Sequence, residues 1–109
     1  MKINGVELDF RLYNQDNPRL REKYMEELGK MRDIAAYAPK GSKIEEDKYL
    51  CERIKEFFDG VFGAGTGDTV CGSGNDLLVC LESYEQLISE QIQQDNRYTE
   101  VNRKLREEL

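Results

Sequence analysis

The sequence contains no histidine, and its three cysteines, Cys51, Cys71 and Cys80, show no C-x-x-C spacing. Histidine is the commonest general base near neutral pH and the commonest metal ligand, so its absence removes the simplest routes to both chemistries. Structural zinc takes four ligands in tightly paired spacing, and a reactive thiol needs a base or an electropositive setting. Neither pattern is present, and the odd set of thiols reads as reduced, buried small hydrophobes. A basic cluster is also missing. With 16 Lys and Arg against 22 Asp and Glu, the net charge is -6, which argues against a nucleic-acid partner because phosphate binding rests on Lys and Arg. The longest apolar run is Leu77-Leu78-Val79-Cys80-Leu81, against the roughly 20 residues that cross a bilayer. No membrane partner is expected. The opening Met1-Lys2-Ile3-Asn4-Gly5 has no apolar segment behind it, so a cytoplasmic location is the expectation.

What the chain does have is a concentration of aromatics and glycines at its centre. Phe57-Phe58-Asp59-Gly60-Val61-Phe62-Gly63-Ala64-Gly65-Thr66-Gly67 leads through Gly72-Ser73-Gly74-Asn75 into the apolar run at Leu77. Such a segment is a compact turn between two core helices, with aromatic anchors on one side and permissive backbone on the other. The length of 109 residues suits one modest core, and 35% charged residues against 39% hydrophobic confine that core to a few stripes.

Residues 6–12 alternate, with Val6, Leu8, Phe10 and Leu12 on one side and Glu7, Asp9 and Arg11 on the other, the period of a half-buried strand. Asn4-Gly5 supplies the two positive-φ positions of a tight hairpin turn. Asn17-Pro18 then predicts a helix start, and Leu20, Tyr24, Leu28, Met31, Ala35 and Ala38 form its buried stripe up to about Tyr37. Ser42-Lys43-Ile44-Glu45 fits a capping box. The second helix carries Ile44, Cys51, Ile54, Phe58 and Val61 on its core face, widened by Leu50, Phe57 and Phe62, and stops at Gly60 or Gly63. Thr66 is expected to cap a single turn to Cys71, and Asn75 to cap a third helix. That helix has Leu77, Leu81, Tyr84 and Ile88 at helical spacing, with Leu78, Cys80 and Leu87 beside them. The expected fold class is mostly α, three principal helices preceded by a short β-strand or hairpin. The expected organisation is a helical domain over residues 1–92 and a charged helical tail over residues 93–109.

No motif in this pattern carries catalysis. The run Gly63-Ala64-Gly65-Thr66-Gly67-Asp68 has neither the lysine of a phosphate loop nor the G-x-G-x-x-G register after a hydrophobic strand, so its glycines serve turns and caps. The carboxylate pairs Glu26-Glu27, Glu45-Glu46 and Glu107-Glu108 lie in strongly charged helical segments, where acid–base work lacks the desolvation it requires. Tyr24 and Tyr84 fall on core stripes, while Tyr13, Tyr37, Tyr49 and Tyr98 suit a boundary with wet hydroxyls. The expectation is a non-enzymatic protein with no catalytic residue, no cofactor and no metal.

The residues Met1-Lys2-Ile3-Asn4-Gly5-Val6-Glu7-Leu8, Phe57-Phe58, Phe62-Gly63, Gly65-Thr66, Asn75, Cys80-Leu81 and Tyr84 resemble small proteins encoded in the tail-gene region of prophages from Gram-positive bacteria. These are similar to phage tail-assembly chaperones. The resemblance covers the chain to about Ile92 and implies a helical protein that escorts the tape-measure protein while tail-tube subunits polymerise around it. It further implies binding through helical apolar surfaces, with a tape-measure or tail-tube protein as partner, and self-association into a homo-oligomer. The alternative is a bacterial helical adaptor or regulatory interaction module. Candidate protein-binding positions follow from physics alone: Tyr98, Val101 and Leu105 on the tail stripe, and Phe57, Phe62 and Thr66 around the glycine connector.

Overall fold

The computed structural model describes residues 1–34 and 36–108 and is mostly α. Two short strands, β1 (Lys2–Ile3) and β2 (Val6–Glu7), precede helices α1 (Pro18–Met31), α2 (Lys43–Phe62), α3 (Thr66–Cys71) and α4 (Leu77–Glu108). The strands pair antiparallel, Lys2 opposite Glu7 and Ile3 opposite Val6. Asn4 and Gly5 close the hairpin at φ 50° and 80°, the left-handed pair that a two-residue turn of this twist demands. A two-stranded hairpin cannot stand alone in water. This one is docked by its own turn: the Asn4 amide donates to the Val70 carbonyl and to Ser83 Oγ, both at 2.8 Å. Ser83 is fully buried in α4 and its hydroxyl donates in turn to the Val79 carbonyl at 2.8 Å.

The alternation expected beyond the hairpin persists without a partner strand. Leu8, Phe10 and Leu12 are buried while Asp9 and Arg11 face solvent. Their backbone is tied down by other means. The N-terminal ammonium donates to the Leu8 carbonyl at 2.9 Å, and the side chain of Gln94 in α4 brackets Phe10 and Leu12.

Helix α2 sits at the centre, with α1, α3 and α4 packed on it. Its Phe57 and Phe58 join Phe10, Tyr24, Phe62 and Tyr84 in an aromatic cluster of mostly edge-on pairs, ring centroids 5.0–6.2 Å apart. Ser42 Oγ accepts the Glu45 N–H at 3.2 Å, as the capping box requires. Ile44 departs from its expected place on the core face, being 68% exposed in the first turn of α2. Gly63, at φ 118°, ends the helix; Gly60 lies inside it, under the Glu27 side chain from α1.

Several boundaries differ from the sequence expectation. Helix α1 stops at Met31, six residues short of Tyr37, and the chain continues in i→i+3 turns through Arg32 and Ile34. Gly29 weakens the last turn by about 1 kcal/mol relative to alanine, and Asp33 sits at the negative end of the helix dipole. Ala35, expected on the α1 stripe, lies outside the described residues, as does Leu109. Asn17 precedes α1 without a side-chain capping bond, so Pro18 alone sets that start. Thr66 is the first residue of α3 and does not cap it; left-handed Gly65 holds the cap position. Asp76 replaces Asn75 as the cap of α4: its carboxylate accepts the Val79 N–H at 3.3 Å and its carbonyl the Cys80 N–H at 3.1 Å.

The largest correction concerns which side of α4 is buried. Cys80 and Leu87 are fully enclosed, with Leu77, Tyr84 and Ile88 packed partly against the core, whereas Leu81 is 44% exposed and Leu78 is 64% exposed. The buried line is therefore Leu77-Cys80-Tyr84-Leu87. The turn at Asn4 fixes it by engaging Ser83, which lies between Cys80 and Leu87 along the helix.

Candidate functional site

Helix α4 continues unbroken past Ile92 to Glu108. At about 1.5 Å per residue it is roughly 48 Å long. That length dominates a molecule measuring 59 by 28 by 21 Å. Its buried line repeats every three and four residues, Leu77, Cys80, Tyr84, Leu87, and then continues in the same register through Gln91, Gln94, Tyr98, Val101 and Leu105. The chemistry changes along it. Where the line leaves the helical core it turns polar and grips the N-terminal segment, and beyond that it turns apolar again, with Tyr13 stacked on Tyr98 and Val101 and Leu105 about half exposed.

The polar stretch ties α4 to residues more than sixty positions away in the sequence. Tyr24 donates its hydroxyl proton to Gln91 Oε1 at 2.5 Å, and Gln91 Nε2 donates to Asp95 at 3.1 Å. Gln94 Oε1 accepts the Leu12 N–H at 2.9 Å while its amide donates to the Phe10 carbonyl at 2.6 Å and to Glu90 at 3.2 Å. Tyr13 donates to Asp95 at 2.5 Å. Its ring lies between the Arg21 guanidinium, 4.7 Å from the ring centre, and the parallel ring of Tyr98 at 4.5 Å. The bond to Asp95 holds the Tyr13 hydroxyl protonated above its ordinary range, and burial does the same for Tyr24. Two hydroxyls assigned to water or core stripe by sequence are thus specific anchors for α4.

Gln94→Ala tests this clamp. The substitution leaves the Leu12 N–H and the Phe10 carbonyl without partners at a half-buried seam, an expected cost of about 1–3 kcal/mol in urea unfolding. A change within error would show that water replaces the amide without loss.

Past the clamp, Tyr98, Val101 and Leu105 are each about half exposed. They line a shallow groove of about 1000 Å³ together with Arg11, Tyr13 and Asn14 from the N-terminal segment and Glu90 and Arg97 from α4. The structure brings these three candidate positions together on a single face. It places the other three elsewhere. Phe57 is enclosed in the aromatic cluster and offers no surface. Phe62 packs between Phe10 and Phe58 and shares with Thr66 a smaller cleft of about 350 Å³, between α1 and the start of α3. Tyr13, Gln91, Gln94 and Asp95, which position the groove, were not among the candidate positions; the unbroken three-four spacing from Leu77 to Leu105 was the signal available for Gln91 and Gln94, and no local spacing marked Tyr13 or Asp95.

The thiols lie away from the groove. All three are buried. Burial pushes the Cys51 thiol up to about 11 and raises the other two, the opposite of what a nucleophile needs. Among the described residues no group of three or more Cys, Asp or Glu is arranged to hold a metal ion, and no helix is long and apolar enough to cross a membrane.

A family model described as a family of unknown function, DUF6673, matches residues 4–108, nearly the whole chain. The chain belongs to that family. No curated protein and no solved structure matches it.

Proposed function

We propose that this DUF6673 member is a non-enzymatic binding protein of the phage tail-assembly chaperone type, which holds a helical segment of a tape-measure or tail-tube protein through the distal part of α4. The observation that carries this reading is the groove beside Tyr98, Val101 and Leu105. An apolar line at helical spacing, about half exposed and anchored by the Tyr13 and Gln94 contacts, is the geometry that receives one face of an amphipathic helix. The resemblance of the hairpin and aromatic segments to prophage tail-region proteins supplies the class of partner. Binding by such a surface is reversible, since a single narrow seam buries little area.

Co-expression with the tape-measure protein encoded beside a gene for this chain tests the proposal. The wild-type chain is expected to keep the tape-measure protein soluble and to co-purify with it. Val101→Glu combined with Leu105→Glu is expected to abolish both effects while leaving the helical circular-dichroism spectrum unchanged. If the double variant still co-purifies, the groove is not the binding site. If no tape-measure gene neighbours this family, a cellular adaptor role replaces the tail role.

A further inference from the structure

Charge is segregated along α4. Between Asp76 and Asn96 the chain carries five acidic residues, Asp76, Glu82, Glu85, Glu90 and Asp95, and no Lys or Arg. From Arg97 to Glu108 it carries four basic residues, Arg97, Arg103, Lys104 and Arg106, against three acidic. Each half also has its own exposed apolar line. On the acidic half Leu78, Leu81 and Ile92 are exposed and Ile88 half-buried, with Glu85 in the line and Glu82 at its edge. On the basic half the line is Tyr98, Val101 and Leu105, bordered by Arg97, Glu100 and Lys104, two positive charges to one negative.

The two lines do not share a face. The acidic-half line stands one residue ahead of the buried seam, a rotation of about 100° around the helix, whereas the basic-half line continues the seam itself. A two-fold dimer that lays two α4 helices side by side therefore cannot cover both. A contact between unlike surfaces can: the basic distal half of one copy on the acidic proximal half of the next.

We propose that this chain self-associates head to tail, the Tyr98-Val101-Leu105 face of one copy seating on the Leu78-Leu81-Ile88-Ile92 face of a second. The occupant is a second copy because each surface supplies what the other lacks, aliphatic against aliphatic and acid against base. Arg97 and Lys104 are free to change partners. Their present bonds, to Glu100 at 3.7 and 3.1 Å, are exposed pairs of the kind that contributes little to stability. A heterologous contact leaves one unused surface at each end, so it propagates into a ring or an open chain and does not stop at a dimer. Purified chain alone suffices for this association, so its failure would leave the proposed capture of a tail protein standing.

The test uses two charge-reversal variants of the full chain, Glu82→Lys with Glu85→Lys, and Arg97→Glu with Lys104→Glu. The mass of the wild type, followed by light scattering during size exclusion, is expected to rise with concentration beyond that of a dimer. The dissociation constant should weaken about tenfold or more between ~0.05 and ~0.5 M salt as the charges are screened. Each variant alone is expected to be monomeric with an unchanged helical spectrum. Mixed in equal amounts they should assemble again beyond a dimer, because the unaltered distal face of the first meets the unaltered proximal face of the second and the two charge-reversed faces again carry opposite signs. A monomeric wild type at every concentration overturns the proposal. So does an assembled single variant, the signature of a contact between two like surfaces, or a mixture that stays monomeric.

Discussion

Phe58→Ala is expected to destabilise the fold by about 3–5 kcal/mol, while Leu81→Ala costs no more than about 1 kcal/mol. Phe58 is fully buried, its ring set edge-on to Phe57 at 5.7 Å and stacked on Phe62 at 6.2 Å. Truncation removes the ring's transfer energy and leaves a cavity that α2, held by three other helices, cannot close. A domain of this size has only about 5–15 kcal/mol of net stability, so the loss takes a large part of the margin. Leu81, by contrast, already has almost half its surface in water. Urea unfolding followed by circular dichroism separates the two, and equal losses would mean that the α4 face has been assigned wrongly.

Gly67→Ala is expected to be the second most damaging single change, at about 1–3 kcal/mol or more. The reason is close approach. A methyl group at position 67 would stand 2.7 Å from Lys55 Cα and nearer still to the Lys55 carbonyl oxygen, and neither backbone atom can swing aside as a side-chain tip could. The same contact is fastened on both sides. The Gly67 N–H donates to Asp59 at 2.7 Å, and Lys55, its stem packed over the junction, reaches the Gly74 carbonyl at 2.6 Å and Asp68 at 3.0 Å. Alanine must therefore lift α3 from α2 and loosen these bonds together. Gly74→Ala is the control, since nothing lies within 4 Å of the added methyl. Equal melting temperatures for the Gly67 variant and wild type would show that α3 floats on α2.

The head-to-tail contact and the tail-protein groove both draw on the distal face of α4. If both hold, a chain engaged with its neighbour hides that face, and only the last copy in an assembly presents it. Binding of a tail helix and growth of the assembly are then mutually exclusive at each face, and linkage requires each to weaken the other.

Where an element is specified by residues a few positions apart, the sequence alone determined it. Asn4-Gly5 forms the expected turn because few other residue pairs accept two left-handed positions in succession. Ser42 caps α2 because its hydroxyl reaches an N–H three residues on, and the stripe from Cys51 to Val61 is buried because its spacing matches the helix. Net acidity, missing histidine and the mostly α class were equally legible.

Tertiary structure alone decided between alternatives that periodicity leaves equal. Helix α4 carries two lines one residue apart, Leu77-Cys80-Tyr84-Leu87 and Leu78-Leu81-Ile88-Ile92, and both keep a three-four register, the second with Glu85 at one of its positions. The choice falls to Asn4, 79 residues from the Ser83 hydroxyl it engages. The grip of Gln94 on Phe10 and Leu12 spans more than eighty residues, and Gly67 earns its place from the backbone of Lys55 rather than from any turn. Local spacing encodes what a segment can bury, but which of its faces meets the rest of the chain depends on surfaces that exist only once the other elements have packed.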